Sequence, residues 1–237
     1  ALDGDLPEDV ALIAVMQVNN EIGTIQPIAD WQERARARDA LLLCDAVQAA
    51  GKIEVAQADM IAISAHKLHG PKGIGALWVR DGIKLEPQIT GGGQEQGLRS
   101  GTLSPALCAG FGAAAKLALE RREDDAAHVE TLWNRALELF DGWTLNGSAE
   151  QRWHGNLNIR RDGLDVARLM SDCRNVMFSA GSACASGSGR PSHVLRALGL
   201  SDAEAKSSIR LGFGRYTTIE QLEEAAHSII SAANSQG

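Results

Sequence analysis

The sequence predicts an α/β protein: a mainly parallel sheet in the first half of the chain, followed by a smaller α+β region. Three observations carry that expectation. Short apolar runs alternate with helical segments in the first third, each run stops at polar residues, and beyond about residue 140 the pattern changes to short strands and helices.

Taken in order, "VALIAVMQV" runs into Asn19, Asn20 and Glu21. An arginine-rich helix around Trp31 to Asp39 follows, and "ALLLCDAV" then leads through Asp45 to Gln48. "DMIAIS" ends at His66 and Lys67. Strands alternating with helices imply βαβ units, and ligands in such sheets bind at the carboxyl ends of strands. Asn20, Asp45, Gln48, Ser64, His66 and Lys67 are therefore expected to face a site. "GIGALWV" is a candidate further strand, and "TGGGQEQGLRSGT" is a glycine-rich loop leading to a helix near Leu103. In "LERREDDAAHVETLWNRALELF" the apolar residues recur at helical spacing and the charges make a solvated face. "NLNIR" and "VARLMSDC" belong to the second region. The expected division is 1–120 for a large domain and 121–237 for a small one. The first strand begins with no earlier elements to flank it, so the large domain reads as cut short at its N-terminus.

Composition narrows the function classes. Of 237 residues, 44% are hydrophobic and 22% charged, as in ordinary globular proteins, and the formal net charge of −7 disfavours nucleic acid or an anionic membrane as partner. No apolar run approaches the roughly 20 residues that span a bilayer. The opening "ALDGDLPEDVALIAV" lacks the basic and apolar regions of a secretory leader, and a cytoplasmic location is the default expectation. The four cysteines, Cys44, Cys108, Cys173 and Cys184, show no CxxC pair and no zinc spacing, so free thiols and no metal site are expected. Cys44 in an apolar strand and Cys108 in an Ala/Gly-rich helical stretch read as small buried hydrophobes.

A few residues could carry chemistry. Lys67, between an apolar run and a glycine patch, is either a surface charge closing a strand or an amine nucleophile at a pocket mouth. A Schiff-base lysine needs an electrophile, usually pyridoxal phosphate, and that cofactor needs an acid for its ring nitrogen. Asp45 suits that part, or is a helix cap or turn residue. The glycine-rich loop, with Ser100 and Thr102, could hold a phosphate or be only a turn. In "SAGSACASGSGRPS", Cys184 sits among Gly, Ala and Ser in what reads as an exposed, mobile loop, either a travelling nucleophile or a small side chain that fits. Arg210, in the apolar run of "SSIRLGFGRYTT", needs an anion, either a substrate carboxylate or an internal acid. His66 is a better general-base candidate than His69.

Seven motifs in order, "NNEIGTIQPI", "CDAVQAAGKI", "SAHKLHGPKGIGALWV", "GGGQEQGLRSGT", "SAGSACASG", "HVLRALGL" and "SSIRLGFGRYTT", resemble the pyridoxal-phosphate-dependent cysteine desulfurases of the aminotransferase class V family. The resemblance runs from about Val10 to the C-terminus, and the long loop around Cys184 resembles the branch working in iron-sulfur cluster biogenesis. It implies an aspartate-aminotransferase-like fold with a partial large domain. By motif match, Lys67 would carry the cofactor, Asp45 would hold its pyridinium nitrogen and Gln48 its phenolic oxygen. Ser64 and His66 would bind the phosphate. Asn20 and Arg210 would grip the carboxylate of L-cysteine, Thr102 would reach the phosphate of a cofactor in a partner subunit, and Cys184 would accept the sulfur. A homodimer follows, with a sulfur-acceptor or scaffold protein as further partner. The early phosphate loop and ring-stacking histidine of the family have no counterpart here. Two other readings are a selenocysteine lyase of the same class and a non-catalytic chain that dimerises with an intact paralogue.

Overall fold

The computed structural model describes residues 5–181 and 191–236. The chain divides into two compact units, one formed by 1–17 with 26–122 and the other by 18–25 with 123–237.

The first unit holds a four-stranded sheet of β1 (Leu12–Met16), β2 (Leu41–Asp45), β3 (Met60–Ser64) and β4 (Gly75–Val79), in that order. β1, β2 and β3 run parallel, with Met16 opposite Asp45 and Asp45 opposite Ala62. β4 returns antiparallel to β3, Ser64 facing Gly75. β1 is joined to β2 through α1 (Ile28–Arg36), as the sequence leads one to expect, whereas turns and loop rather than the expected helix join β2 to β3. α1 ends earlier than the expected Asp39, which instead takes a left-handed φ of 52° in the turn before β2. α2 (Pro105–Glu120) starts where Pro105 fits a first helical turn and Ser104 accepts from Leu107 N–H. It buries Ala114 against Ala50 and Leu68, with Phe111 and Ile63 alongside. Cys108 lies on its exposed side, contrary to the expected burial, because this helix buries only its alanine stripe.

Asp59, just before β3, is the polar hub of this unit. It is buried, and its carboxylate accepts from Leu42 N–H, Gln32 Nε2 and Arg80 Nε. Burial pushes its pKa up, but those three donors outweigh it and leave the carboxyl below its ordinary value.

The second unit is built on a sheet with the order β5 (Thr144–Leu145), β6 (Asn156–Arg160), β8 (Ser208–Gly212), β7 (Ser179–Ala180), antiparallel throughout. α3 (Arg122–Leu139), α4 (Val166–Asp172) and α7 (Ile219–Asn234) supply its apolar cover. The charged stretch forms α3 for nearly its whole length, as its apolar spacing leads one to expect, and Arg121 separates it from α2. α5 (His193–Ala197) and α6 (Asp202–Lys206) are short and capped by Ser192 and by a Ser201/Glu204 capping box. In "NLNIR" and "SIRLG" the period of two sends Leu157, Ile159, Ile209 and Leu211 into the core with Leu132, Leu169 and Ile229. Asn156, Asn158, Ser208 and Arg210 alternate with them, so this sheet has one polar face. Among the described residues, no helix is long and apolar enough to cross a membrane, and no group of three or more His, Cys, Asp or Glu is placed to hold a metal ion.

Candidate active site

In the first unit the chemistry-bearing residues gather where the parallel strands end. Asp45 is the last residue of β2, and its Oδ1 accepts from Val47 N–H at 2.9 Å, which turns the chain sharply and leaves Oδ2 without a partner among the described residues. Beyond it the chain makes two successive turns over residues 46–53, with Ala50 N–H bonded to Ala46 O and both Lys52 and Ile53 N–H bonded to Ala49 O. Gln48 is carried on that stretch, and its Oε1 accepts from Lys52 Nζ at 3.0 Å.

Ser64 closes β3, and one 3-10 turn (Ala65–Lys67) follows. Lys67 therefore stands just past the strand, not on it. The turn is held by Leu68 and Gly70 N–H donating to Ala65 O, and Gly70 must be glycine-like in size because a Cβ there would lie 2.9 Å from that oxygen. Ser64 Oγ and His66 Nδ1 are 2.8 Å apart. Lys67 is exposed and has neither a hydrogen-bond partner nor a carboxylate among the described residues. Its ammonium does act on a neighbour: burial first, and Lys67 second, bring Lys52 down to about 8. The amine is thus presented rather than spent on a surface ion pair.

Thr102 lies exposed after the glycine-rich loop. Gly91, Gly97 and Gly101 have positive φ, as do Glu95 and Gln96 between them. Ser100 is buried and its hydroxyl donates to Gly92 O at 2.6 Å, so of the two hydroxyls considered for phosphate binding only that of Thr102 is uncommitted.

The second unit positions the other pair. Segment 18–25 lies on the polar face of its sheet. Asn156 Nδ2 and an Arg210 guanidinium nitrogen both donate to Asn20 O, at 3.1 and 2.7 Å. Asn158 Nδ2 donates to Glu21 O at 2.9 Å, and Arg152 donates twice to Ile22 O and also to Asn146 O and Ser148 O. The Asn20 backbone is thereby fixed while its side-chain amide keeps no partner among the described residues. Arg210, half-buried, likewise faces no carboxylate there, so the alternative of an internal acid is not met. Arg152 is fully enclosed, with its guanidinium over the Trp133 ring at 5.4 Å, and burial lowers its pKa to about 10.

Sequence reasoning did not single out Lys52, Arg152, Asn156 or Asn158. The alternation N-L-N-I-R, with asparagines where a solvated strand would carry charges, was the available signal for a buried polar face. Cys184 lies outside the described residues. The other three cysteines are free, Cys44 and Cys173 buried, and burial ahead of the Asp45 charge pushes the Cys44 thiol up to about 11, which removes it as a nucleophile.

Comparison with known proteins agrees with this arrangement. The chain is 44% identical over 240 residues to the cysteine desulfurase IscS of Colwellia psychrerythraea, covering 98% of itself and 59% of that relative. It is 43% identical to the mitochondrial cysteine desulfurase of Saccharomyces cerevisiae, covering 96% of itself and 48% of that protein. It thus spans about half to three-fifths of the length of the curated relatives it matches. Among solved structures, a NifS-like protein superposes with a TM-score of 0.88 at 30% identity over 97% of this chain and 63% of its own. DndA from Streptomyces lividans gives 0.74 at 33%, covering 88% and 62%. The fold is therefore that of the NifS-like proteins. The aminotransferase class-V model matches residues 1–224, and the chain belongs to the aminotransferase class-V family.

Proposed function

We propose that the chain carries the cofactor-binding and substrate-binding residues of a cysteine desulfurase that works as a cytoplasmic homodimer and supplies sulfur for iron-sulfur clusters. One observation carries the reading: an exposed, uncommitted amine, Lys67, follows β3 while the carboxylate Asp45, with one free oxygen, ends the adjacent strand β2. The donor set suits pyridoxal phosphate. Asp45 Oδ2 would accept from a protonated ring nitrogen, Gln48 would meet the phenolic oxygen, and Ser64 with His66 would meet the phosphate. Thr102 would reach the phosphate held by a partner subunit. When bound, pyridoxal phosphate supplies an aldehyde carbon for the Lys67 amine and an electron sink for charge released at a substrate α-carbon.

The protein's own residues do the rest. The Asn20 amide and the Arg210 fork hold the carboxylate of L-cysteine and so fix which α-bond is aligned for cleavage. The Lys67 amine takes the α-proton and serves as the proton donor in later steps. The Cys184 thiolate attacks the substrate sulfur: a sulfur-sulfur bond forms as the carbon-sulfur bond breaks, and the electron pair stays with the substrate carbon, which is then protonated. Alanine leaves, and a sulfur-acceptor or scaffold protein takes the persulfide sulfur from Cys184.

The test is a visible spectrum of the chain after incubation with pyridoxal phosphate and removal of the excess, alongside Lys67→Ala. A retained band that disappears in the variant is the expected result. With that band in hand, L-cysteine should yield alanine and sulfide, and Cys184→Ser should abolish sulfide release. No Lys67-dependent band in the parent chain would overturn the reading.

A further inference from the structure

Lys52 is bonded to a candidate cofactor residue, and the reading above leaves it without a task. Its place is closely determined. Gln48 and Lys52 are four residues apart on two successive hydrogen-bonded turns after β2, and Gly51 between them bends the backbone so that the two side chains meet. Gly51 beside Lys52 has φ +75°, and a Cβ there would lie 2.9 Å from the Ala118 Cβ of α2, so the backbone that carries Lys52 is seated directly on that helix. From this position Lys52 Nζ donates to Gln48 Oε1 at 3.0 Å.

A side-chain amide has one end that accepts and one that donates, and a protonated amine can only donate. With Lys52 protonated at neutral pH, its bond must take the oxygen end of Gln48. The NH₂ end is then the one left for a ligand. An anionic phenolic oxygen needs a donor, and an amide turned the other way would meet it oxygen to oxygen. Resting on the reading of Gln48 as the residue at the ring oxygen, we propose that Lys52 is a positioning residue that locks the Gln48 amide with its NH₂ group toward the phenolic oxygen of pyridoxal phosphate.

Two charged groups bear on this pair. Lys67 acts on Lys52 from the turn after β3, and Asp45 ends β2 on the same segment with one oxygen engaged by Val47 N–H. Lys52 could therefore also act on Lys67 by charge alone, and a double-substitution cycle separates the two routes.

The experiment titrates the visible absorbance of the lysine-bound cofactor against pH in the parent chain, Lys52→Met, Gln48→Leu and the double variant. A donor on the phenolic oxygen favours the form that has lost the proton shared with that oxygen. Lys52→Met should therefore keep the band and raise its midpoint, by on the order of one pH unit. In the Gln48→Leu background the same substitution should move the midpoint far less, and Lys52→Arg, which still donates, should sit near the parent value. Equal shifts in both backgrounds would mean that Lys52 acts by charge alone and would sink the proposal, as would an unmoved midpoint in Lys52→Met. If Lys52→Met does not fold, the Lys52→Arg titration decides, since a midpoint displaced as far as that of Gln48→Leu overturns the proposal. A parent chain without a Lys67-dependent band removes the cofactor reading and this inference together, whereas a normal band with coincident or additive titrations removes only the inference.

Discussion

The two units hold their functional groups by opposite means. In the first, Asp45, Ser64 and Lys67 follow directly from where parallel strands stop, and they are fixed by backbone bonds and short turns. In the second, Asn20 and Arg210 are held by a buried set of side chains, with Asn156, Asn158 and Arg152 all donating to the carbonyls of segment 18–25. Backbone-held groups tolerate changes in their neighbours. Groups held by buried polar side chains do not, because each lost partner strands a desolvated carbonyl.

Substitutions can sharpen or break that contrast. The largest effect is expected from Arg152→Met. It removes donors to Ile22, Asn146 and Ser148 carbonyls at once, and should lower stability by about 3 kcal/mol or more in urea unfolding. It should also raise the KM for L-cysteine more than it weakens cofactor retention, and an equal loss of both would erase the distinction between the units. Asp59→Ala in the first unit should cost about 2 kcal/mol, since Leu42 N–H and Gln32 lose a buried acceptor, yet it should leave the Lys67-dependent band in place. Asp59 also has a pH signature. Its folded pKa lies below the ordinary value of about 3.9, so its contribution is complete above that value and is lost as pH falls through the folded pKa. Asp59→Asn should flatten the acid limb of a stability curve, and an unchanged limb would count against the hub. The smallest effect belongs to Arg168→Ala, which breaks an exposed i,i+4 pair with Asp172 and should change stability by under about 0.5 kcal/mol.

How much of this was legible in the sequence differs between the units for the same reason. Strand ends in a parallel sheet are marked by a change from apolar to polar residues, so Asp45, Ser64 and Lys67 could be placed from the chain alone. Cys108 could not, because an Ala/Gly-rich helix looks buried by composition while only Ala114 and Ala118 are in fact covered. The role of Asn156 and Asn158 was hidden for a different reason. The carbonyls of Asn20 and Glu21 that they hold are more than 130 residues away, and a carbonyl carries no sequence signal. Arg210 was recognisable as an anion-seeking residue, but that no carboxylate stands beside it among the described residues is a fact of tertiary structure.

The excursion of residues 18–25 into the second unit sets a timetable for folding. The segment leaves the first unit after Gln17 and returns at Gln26, whose N–H bonds to Gln17 O and closes the neck. It is synthesised before its partners, since Arg152 lies 130 residues after Ile22 and Arg210 lies 190 residues after Asn20. During translation these eight residues must wait, already tethered, until Arg210 has emerged. Joining such distant segments raises the entropy cost only slowly with length, but it delays the last step. The second unit should therefore gain its cooperative stability after the first, and a nascent chain ending near Arg122 should show segment 18–25 open to protease while the strands around it are already protected.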